Sequence, residues 1–153
     1  MPEGKVRKAR ISDAKIIKEL IGVYAKKELM LFRSLNEIYE AIRDYRVYDD
    51  GGKPLGCAAL HIEWEDLAEV RSVVVDPQHQ KLGIGKKLVE SCVAEAEQLG
   101  LKRIFVLTYE TEFFQKMGFF PYNKENLPHK IWNDCLKCPR FPECDEEAMI
   151  MDL

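Results

Sequence analysis

Residues 70–93 read VRSVVVDPQHQKLGIGKKLVESCV. The first part has the composition of a strand: β-branched Val73, Val74 and Val75 stand in a row, and Asp76-Pro77 ends the run because proline has no N–H to give to a ladder. The last part has the period of a helix. Ile84, Leu88, Val89, Cys92, Val93 and Ala96 fall on one face at 3.6-residue spacing, and Gly100 stands where a helix C′ residue belongs. Between them lie a loop, 78–82, and the turn Gly83-Ile84-Gly85. A strand, a glycine turn and a helix N-terminus together make an anion cradle. The first-turn N–H groups have no partner inside the helix, and glycine lets the main chain approach a ligand closely. A diphosphate is the natural occupant. Two nucleotide-binding motifs fail on spacing. The dinucleotide fingerprint wants a third glycine where this chain has Leu88, and the P-loop wants an upstream glycine and a hydroxyl that Gly85-Lys86-Lys87 lacks.

At 153 residues the chain reads as a single domain, 1–153, with a Cys-containing C-terminal segment at 127–149. A chain of this size buries about 70% of its unfolded surface. The net charge of −3 argues against a nucleic-acid or anionic-membrane surface, while leaving room for a local basic patch around an anionic ligand. No apolar run approaches the roughly 20 residues that span a bilayer. The opening MPEGKVRKARISDA has no signal-peptide core, so the expected location is cytoplasmic. Cys57 and Cys92 sit inside apolar patterns and read as reduced core thiols.

The remaining elements follow from periodicity and punctuation. Residues 6–11 read as an edge strand, with Ser12-Asp13 as the N-cap of a helix whose stripe is Ile16, Ile17, Leu20, Ile21 and Tyr24. Ser34 with Glu37 has the capping-box spacing and predicts a second helix over 35–44. Residues 45–48 and 55–63 are strands joined at the hairpin signal Asp50-Gly51-Gly52-Lys53, and 67–75 pairs back on the second of them. After the central helix come a buried strand at 103–108, a short helix at 111–117 ended by Gly118, and an edge segment at 119–122. The order β-α-α-β-β-β-α-β-α-β is that of an α+β domain.

Gln80-x-x-Gly83-x-Gly85, after a valine-rich strand end, resembles the [QR]-x-x-G-x-[GA] pyrophosphate loop of the GNAT acetyltransferase superfamily. The element order agrees over about residues 6–120, and F-x-x-x-G-F at 114–119 resembles the family's C-terminal helix. The resemblance implies a mixed, mostly antiparallel central sheet flanked by helices, with two splayed central strands between which acetyl-CoA lies. It implies that Val73 and Val75 offer backbone groups to the pantetheine arm. Gln80, Lys81, Gly83, Ile84, Gly85 and Lys86 would line the diphosphate. The N–H near Val73 would polarise the thioester carbonyl. Glu69 stands where some members carry a glutamate base. Strand alternation would put 69, 71, 73 and 75 on one face. A free carboxylate has a pKa of about 4.3, so such a base must be tuned upward or work through water. Its alternative role is a salt-bridge partner. Many members place a tyrosine acid in the last helix; here that position is Phe114, without a hydroxyl.

The residues LFRSL at 31–35, YRVYDD at 45–50, CAAL at 57–60 and FVLTYETEFFQKMGF at 105–119 together resemble the acetyltransferase domain of N-acetylglutamate synthases. That resemblance implies transfer of acetyl to the α-amino group of an amino acid, L-glutamate first, at the entry to arginine synthesis. A dicarboxylate needs cationic contacts. Arg33 suits one carboxylate because a guanidinium grips it bidentately, and Lys27 and Arg71 are candidates for the other. The alternative for each is a solvated surface charge, which is the preferred reading for Lys27, whereas the substrate contact is preferred for Arg33. A homodimer is compatible with this reading, and nothing in the sequence sets an oligomeric state.

Cys135-x-x-Cys138, Cys144 and His129 upstream have zinc-like spacing, but the second paired arm of a closed site is missing, so packed thiols are the preferred reading and no metal is required. Two rival functions stay open. One keeps the fold and changes the acceptor to a protein N-terminus, polyamine or drug. The other is a non-catalytic CoA-binding module.

Overall fold

The computed structural model describes residues 4–127 and 146–153. Among the described residues the strands form one seven-stranded sheet in the order β1-β2-β3-β4-β5-β7-β6. The strands are β1 (Lys5–Lys8), β2 (Tyr45–Asp50), β3 (Lys53–Trp64), β4 (Leu67–Val75), β5 (Arg103–Thr108), β6 (Phe120–Tyr122) and β7 (Glu147–Asp152). The helices are α1 (Ala14–Ala25), α2 (Leu35–Glu40), α3 (Ile84–Gln98) and α4 (Thr111–Lys116). Neighbours are antiparallel except β4 and β5, which are parallel because α3 crosses between them. This is the mixed α+β sheet expected from the sequence.

Helices cover both faces. On one, Leu88, Val89, Cys92 and Ala96 of α3 pack on Ala58, Leu60, Ala68 and Val70. On the other, Ile17, Leu20 and Ile21 of α1 and Ile38 of α2 pack on Val47, Cys57, Ala59 and Val74. Gly56 lets α3 come close: a Cβ there would lie 2.8 Å from Val74 O and 3.1 Å from Leu88 Cδ1. Cys57 and Cys92 are buried free thiols, and burial pushes them up to about 12 and about 11. Two charge clusters tie the layers. Arg46, 1% exposed, pairs with Glu95 of α3 and donates to Ser91 O at 3.2 Å. Arg7 of β1 grips Asp13 at 2.8 and 3.1 Å and Asp49 at 2.8 Å.

Several boundaries differ from the sequence reading. The first strand stops at Lys8, and Ile11–Asp13 is a 3-10 turn instead of its continuation. Asp13 does stand at the N-cap of α1, but its carboxylate is turned to Arg7 and to the N–H of Arg10. The capping box of Ser34 and Glu37 is present, yet α2 ends at Glu40 and Ile42–Asp44 is a separate 3-10 turn. The larger difference is β7, which the sequence reading left in the C-terminal segment. It enters the sheet between β5 and β6, with Ala148, Met149 and Ile150 buried.

The register of β4 sets up the site. Leu67, Ala68 and Glu69 pair with Arg103, Ile104 and Phe105, and the β4–β5 pairing stops there. On the β3 side, Ala59 faces Arg71 and Cys57 faces Val74, so β4 carries one residue more than its partner between those pairs. The extra residue is a β-bulge, and Ser72 takes φ of 55° within it. The expected alternation of 69, 71, 73 and 75 therefore fails. Ala68 and Val70 share the α3 face with Val73 and Val75, while Val74 joins the α1 face. Glu69 and Arg71 thus project from the opposite face to Val73 and Val75.

Candidate active site

Where β4 and β5 part, a cleft of ≈ 390 Å³ opens. Its walls are the free edge of β4, the end of β5, the start of α4 and the α1–α2 loop at 26–34. The N–H of Asp76 donates to Leu55 O of β3 at 2.8 Å. By strand alternation the peptide groups of Val75 and Val73 then face the gap, as an added extended ligand requires.

The end of the cleft that the sequence marks for a diphosphate is built by the loop after β4. Asp76 accepts from the N–H of Gln78 and stops the strand. Gly83 takes φ of 81° immediately before α3, a left-handed conformation natural to glycine. The first bond of the helix ladder runs from Lys87 N–H to Gly83 O at 3.2 Å, so the N–H groups of Ile84, Gly85 and Lys86 precede it. They point out of the helix N-terminus, where an anion is favoured. A Cβ on Gly85 would meet the Phe113 ring at 3.5 Å, so α4 covers this end closely. Lys81 and Lys86 are exposed. The Gln80 side chain is turned away from the helix N-terminus: its Nε2 donates to Tyr24 Oη at 2.5 Å and to Val75 O at 2.9 Å.

The other end of the cleft is charged, and its side chains are little exposed. Glu69 and Arg71 stand together, with Arg71 Nη1 3.7 Å from Glu69 Oε1 and side-chain exposures of 16% and 10%. Arg33 enters from the α1–α2 loop; its side chain is 12% exposed, with Nη1 3.6 Å from Glu37 Oε2. Burial holds the Tyr45 phenol above its usual range, against a hydrogen bond to Ser72. Phe114 is buried and stacks edge-on against Phe113 and Phe119 at 5.0 and 5.2 Å, so it supplies apolar wall and no proton.

The fold thus gathers Glu69, Arg33, Arg71, Val73, Val75, Gln80 and Gly85 around one cleft. Lys27 is not brought into it; it lies in the turn after α1 and is exposed, with Nζ 6.0 Å from the Tyr24 ring. Tyr24, Ser72 and Tyr109 also line the cleft and were not singled out as site residues. Tyr24 has helical apolar spacing, which marks it for the core. Cys135, Cys138, Cys144 and His129 lie outside the described residues. Among the described residues no three His, Cys, Asp or Glu side chains are placed to hold a metal.

The Acetyltransferase (GNAT) family model matches residues 18–119 of the chain. An uncharacterized N-acetyltransferase of Chlorobaculum tepidum is 42% identical over 97% of the chain and 96% of its own length. An amino-acid acetyltransferase of Mycobacterium tuberculosis is 45% identical over 74% of the chain and 67% of its own length. Among solved structures, Mycobacterium tuberculosis Rv2747 in complex with CoA and NLQ superposes with a TM-score of 0.83 at 34% identity, covering 97% of the chain and 98% of its own. N-acetylglutamate synthase of Neisseria gonorrhoeae, complexed with coenzyme A and N-acetyl-glutamate, gives 0.89 at 26% identity over 100% of the chain. The chain spans only 36% of that synthase, and 29% of the amino-acid acetyltransferase of Azotobacter vinelandii. The chain belongs to the GNAT acetyltransferase family. It is an N-acetyltransferase of the GNAT type, with acetyl-CoA as its acetyl donor.

Proposed function

We propose that the protein transfers the acetyl group of acetyl-CoA to the α-amino group of L-glutamate. The observation that carries this reading is the pair of little-exposed guanidiniums, Arg33 and Arg71, lining one cleft beside Glu69. A molecule with two carboxylates and one amine answers that set. A guanidinium beside a carboxylate in a poorly hydrated site gives a strong, directional, charge-assisted contact. The names of the relatives, amino-acid acetyltransferase and N-acetylglutamate synthase, agree with it.

In this reading the peptide groups of Val73 and Val75 hold the pantetheine arm as a strand would, and the N–H near Val73 polarises the thioester carbonyl. The amides at Gly83, Ile84, Gly85 and Lys86 hold the diphosphate, with Lys81 and Lys86 adding positive charge. Gln80 contributes through its backbone and through the strand end it braces. Glu69 accepts the proton of the ammonium, directly or through one water, and Arg33 and Arg71 orient the carboxylates. A thiol has a pKa of about 8.5, so the leaving thiolate departs without a dedicated acid at Phe114.

One observation favours a second acceptor class. Glu28, Glu69, Glu110 and Glu146 all line the cleft, and such a wall suits a cationic polyamine. An acceptor screen with purified protein and acetyl-CoA, read by thiol release, decides between them. Turnover with glutamate is expected. Turnover with polyamines but not glutamate would replace the proposal, and donor binding without turnover on any amine would leave a CoA-binding module.

A further inference from the structure

Tyr24 is the joint between the two ends of the cleft. Its hydroxyl donates to Val75 O at 2.7 Å and accepts from Gln80 Nε2 at 2.5 Å. The second hydrogen of the Gln80 amide goes to Val75 O at 2.9 Å. The three groups close a ring in which every hydrogen has an acceptor and both lone pairs of the Val75 carbonyl are used. Burial raises the Tyr24 phenol above its usual range, with Asp76 and Glu110 adding to the rise against the Gln80 hydrogen bond, so it stays a donor at neutral pH.

The main chain of the same residue holds the acceptor-side loop. Tyr24 O accepts from the N–H of Lys27 at 3.1 Å and of Leu29 at 3.1 Å, and Glu28 N–H donates to Ala25 O at 3.0 Å. This is the bond pattern of a helix stop with a left-handed C′ residue, and Glu28 takes φ of 58° there. The chain leaving that stop carries Met30, Leu31 and Arg33 along the cleft wall. Through one residue, then, the phosphate-side loop (Gln80), the strand end that faces the donor (Val75) and the loop that carries Arg33 are fastened together.

We propose that Tyr24 is a positioning residue that couples the two substrate sites: an extended acyl-CoA arm seated along the free edge of β4 resets the ring on Val75 O, and the Tyr24 backbone passes that change to residues 26–34. The inference rests on the donor placement given above. An amide N–H of the arm that approaches Val75 O meets a carbonyl with no lone pair to spare. It must displace Gln80 or Tyr24, and either displacement moves the anchor of the acceptor loop. The coupling belongs to a discrete element with two arrangements, the ring closed or opened.

The test is hydrogen exchange of the 26–34 amides with and without CoA, in the wild type, Tyr24→Phe and Gln80→Glu. In the wild type, CoA changes exchange in 26–34 as well as at the start of α3. In Tyr24→Phe the change at α3 persists and the change in 26–34 is lost; in Gln80→Glu the change in 26–34 is lost at CoA concentrations that saturate the variant. Tyr24→Phe also removes the dependence of the glutamate KM on acetyl-CoA concentration, which in the wild type amounts to about fivefold or more. A purely structural role would instead lower kcat and raise both KM values together. Transmission to 26–34 that survives in Tyr24→Phe or Gln80→Glu overturns the coupling. A wild type that binds no CoA would overturn the donor placement itself. A wild type that responds to CoA but does not turn over glutamate removes the acceptor assignment alone, and the exchange data still decide the coupling.

Discussion

The two halves of β4 differ in what their edges do. From Leu67 to Glu69 the strand is paired on both sides, to β3 and to β5, and Ala68 is core. Beyond the bulge, Val74 and Val75 are paired to β3 alone, and the other edge of this half faces the cleft. One extra residue at the bulge separates the half that is paired on both sides from the half whose edge is open. A buried backbone edge left without a partner is costly, so the open half is tolerated because something occupies it. Within the described residues that something is the Tyr24–Gln80 ring at Val75. In the working protein we expect it to be the donor's amide arm.

The comparison can be broken most forcefully at Glu69, the last doubly paired residue. Glu69→Gln keeps the shape and removes the proposed base; kcat should fall about 10²- to 10⁴-fold with Tm little changed. A fall of less than threefold would make Glu69 only the ion-pair partner of Arg71. Next comes Arg33, on the loop opposite the open half. Arg33→Ala should raise the glutamate KM about 10- to 100-fold, the loss of a charge-assisted contact, and leave the acetyl-CoA KM within about twofold. Equal small effects on both constants would take Arg33 out of the acceptor site.

Stability separates the halves further. Gly56 pairs with Val75, and a Cβ there would strike Val74 O at 2.8 Å. Gly56→Ala should destabilise by about 1–3 kcal/mol in denaturant unfolding and weaken acetyl-CoA binding by pushing on the open half from behind. Loss of stability with unchanged donor affinity would show that the two edges of this half are independent. Away from the cleft, Arg7 holds the Asp13 carboxyl below the usual carboxylate range by hydrogen bonding, against the opposing effect of burial. A depressed folded-state pKa adds stability that is present above the unfolded value, about 3.9, and is lost as pH falls through the folded value. Asp13→Asn should therefore flatten the acid limb of a stability–pH curve and leave the KM values alone. The smallest effect belongs to Ser72→Gly. Relief at φ of 55° and loss of the Tyr45 hydrogen bond oppose one another, so the net change should lie within about 1 kcal/mol. A larger loss would mean that the Ser72 side chain, and not the register, holds the bulge.

The stretch 70–93 was legible because its signals are local: β-branched residues, a proline stop, glycine at a positive-φ turn and a 3.6-residue apolar period. Each acts within a few residues of the place where it is read, and β4, β5 and α3 lie where those signals put them. The capping box at Ser34 was readable for the same reason. β7 was not. EAMIMD holds one β-branched residue, Ile150, beside Glu, Ala and Asp that are depleted in strands, and it becomes a strand because β5 and β6 offer it two edges and a buried face.

The amino-acid order alone therefore determined the class of fold, the glycine turn that opens α3 and the residue types available for the chemistry. The tertiary structure decided which of those residues meet. A bulge depends on the register of a partner strand, and period-two alternation cannot foresee it, so the faces of Glu69 and Val73 came apart. Lys27, in the turn that follows α1, was left outside the cleft, while Tyr24 inside α1 was turned toward it, because rotation about the helix axis is set by what α1 packs against. Contacts such as Tyr24 to Gln80, 56 positions apart, exist only once the sheet has brought the two together.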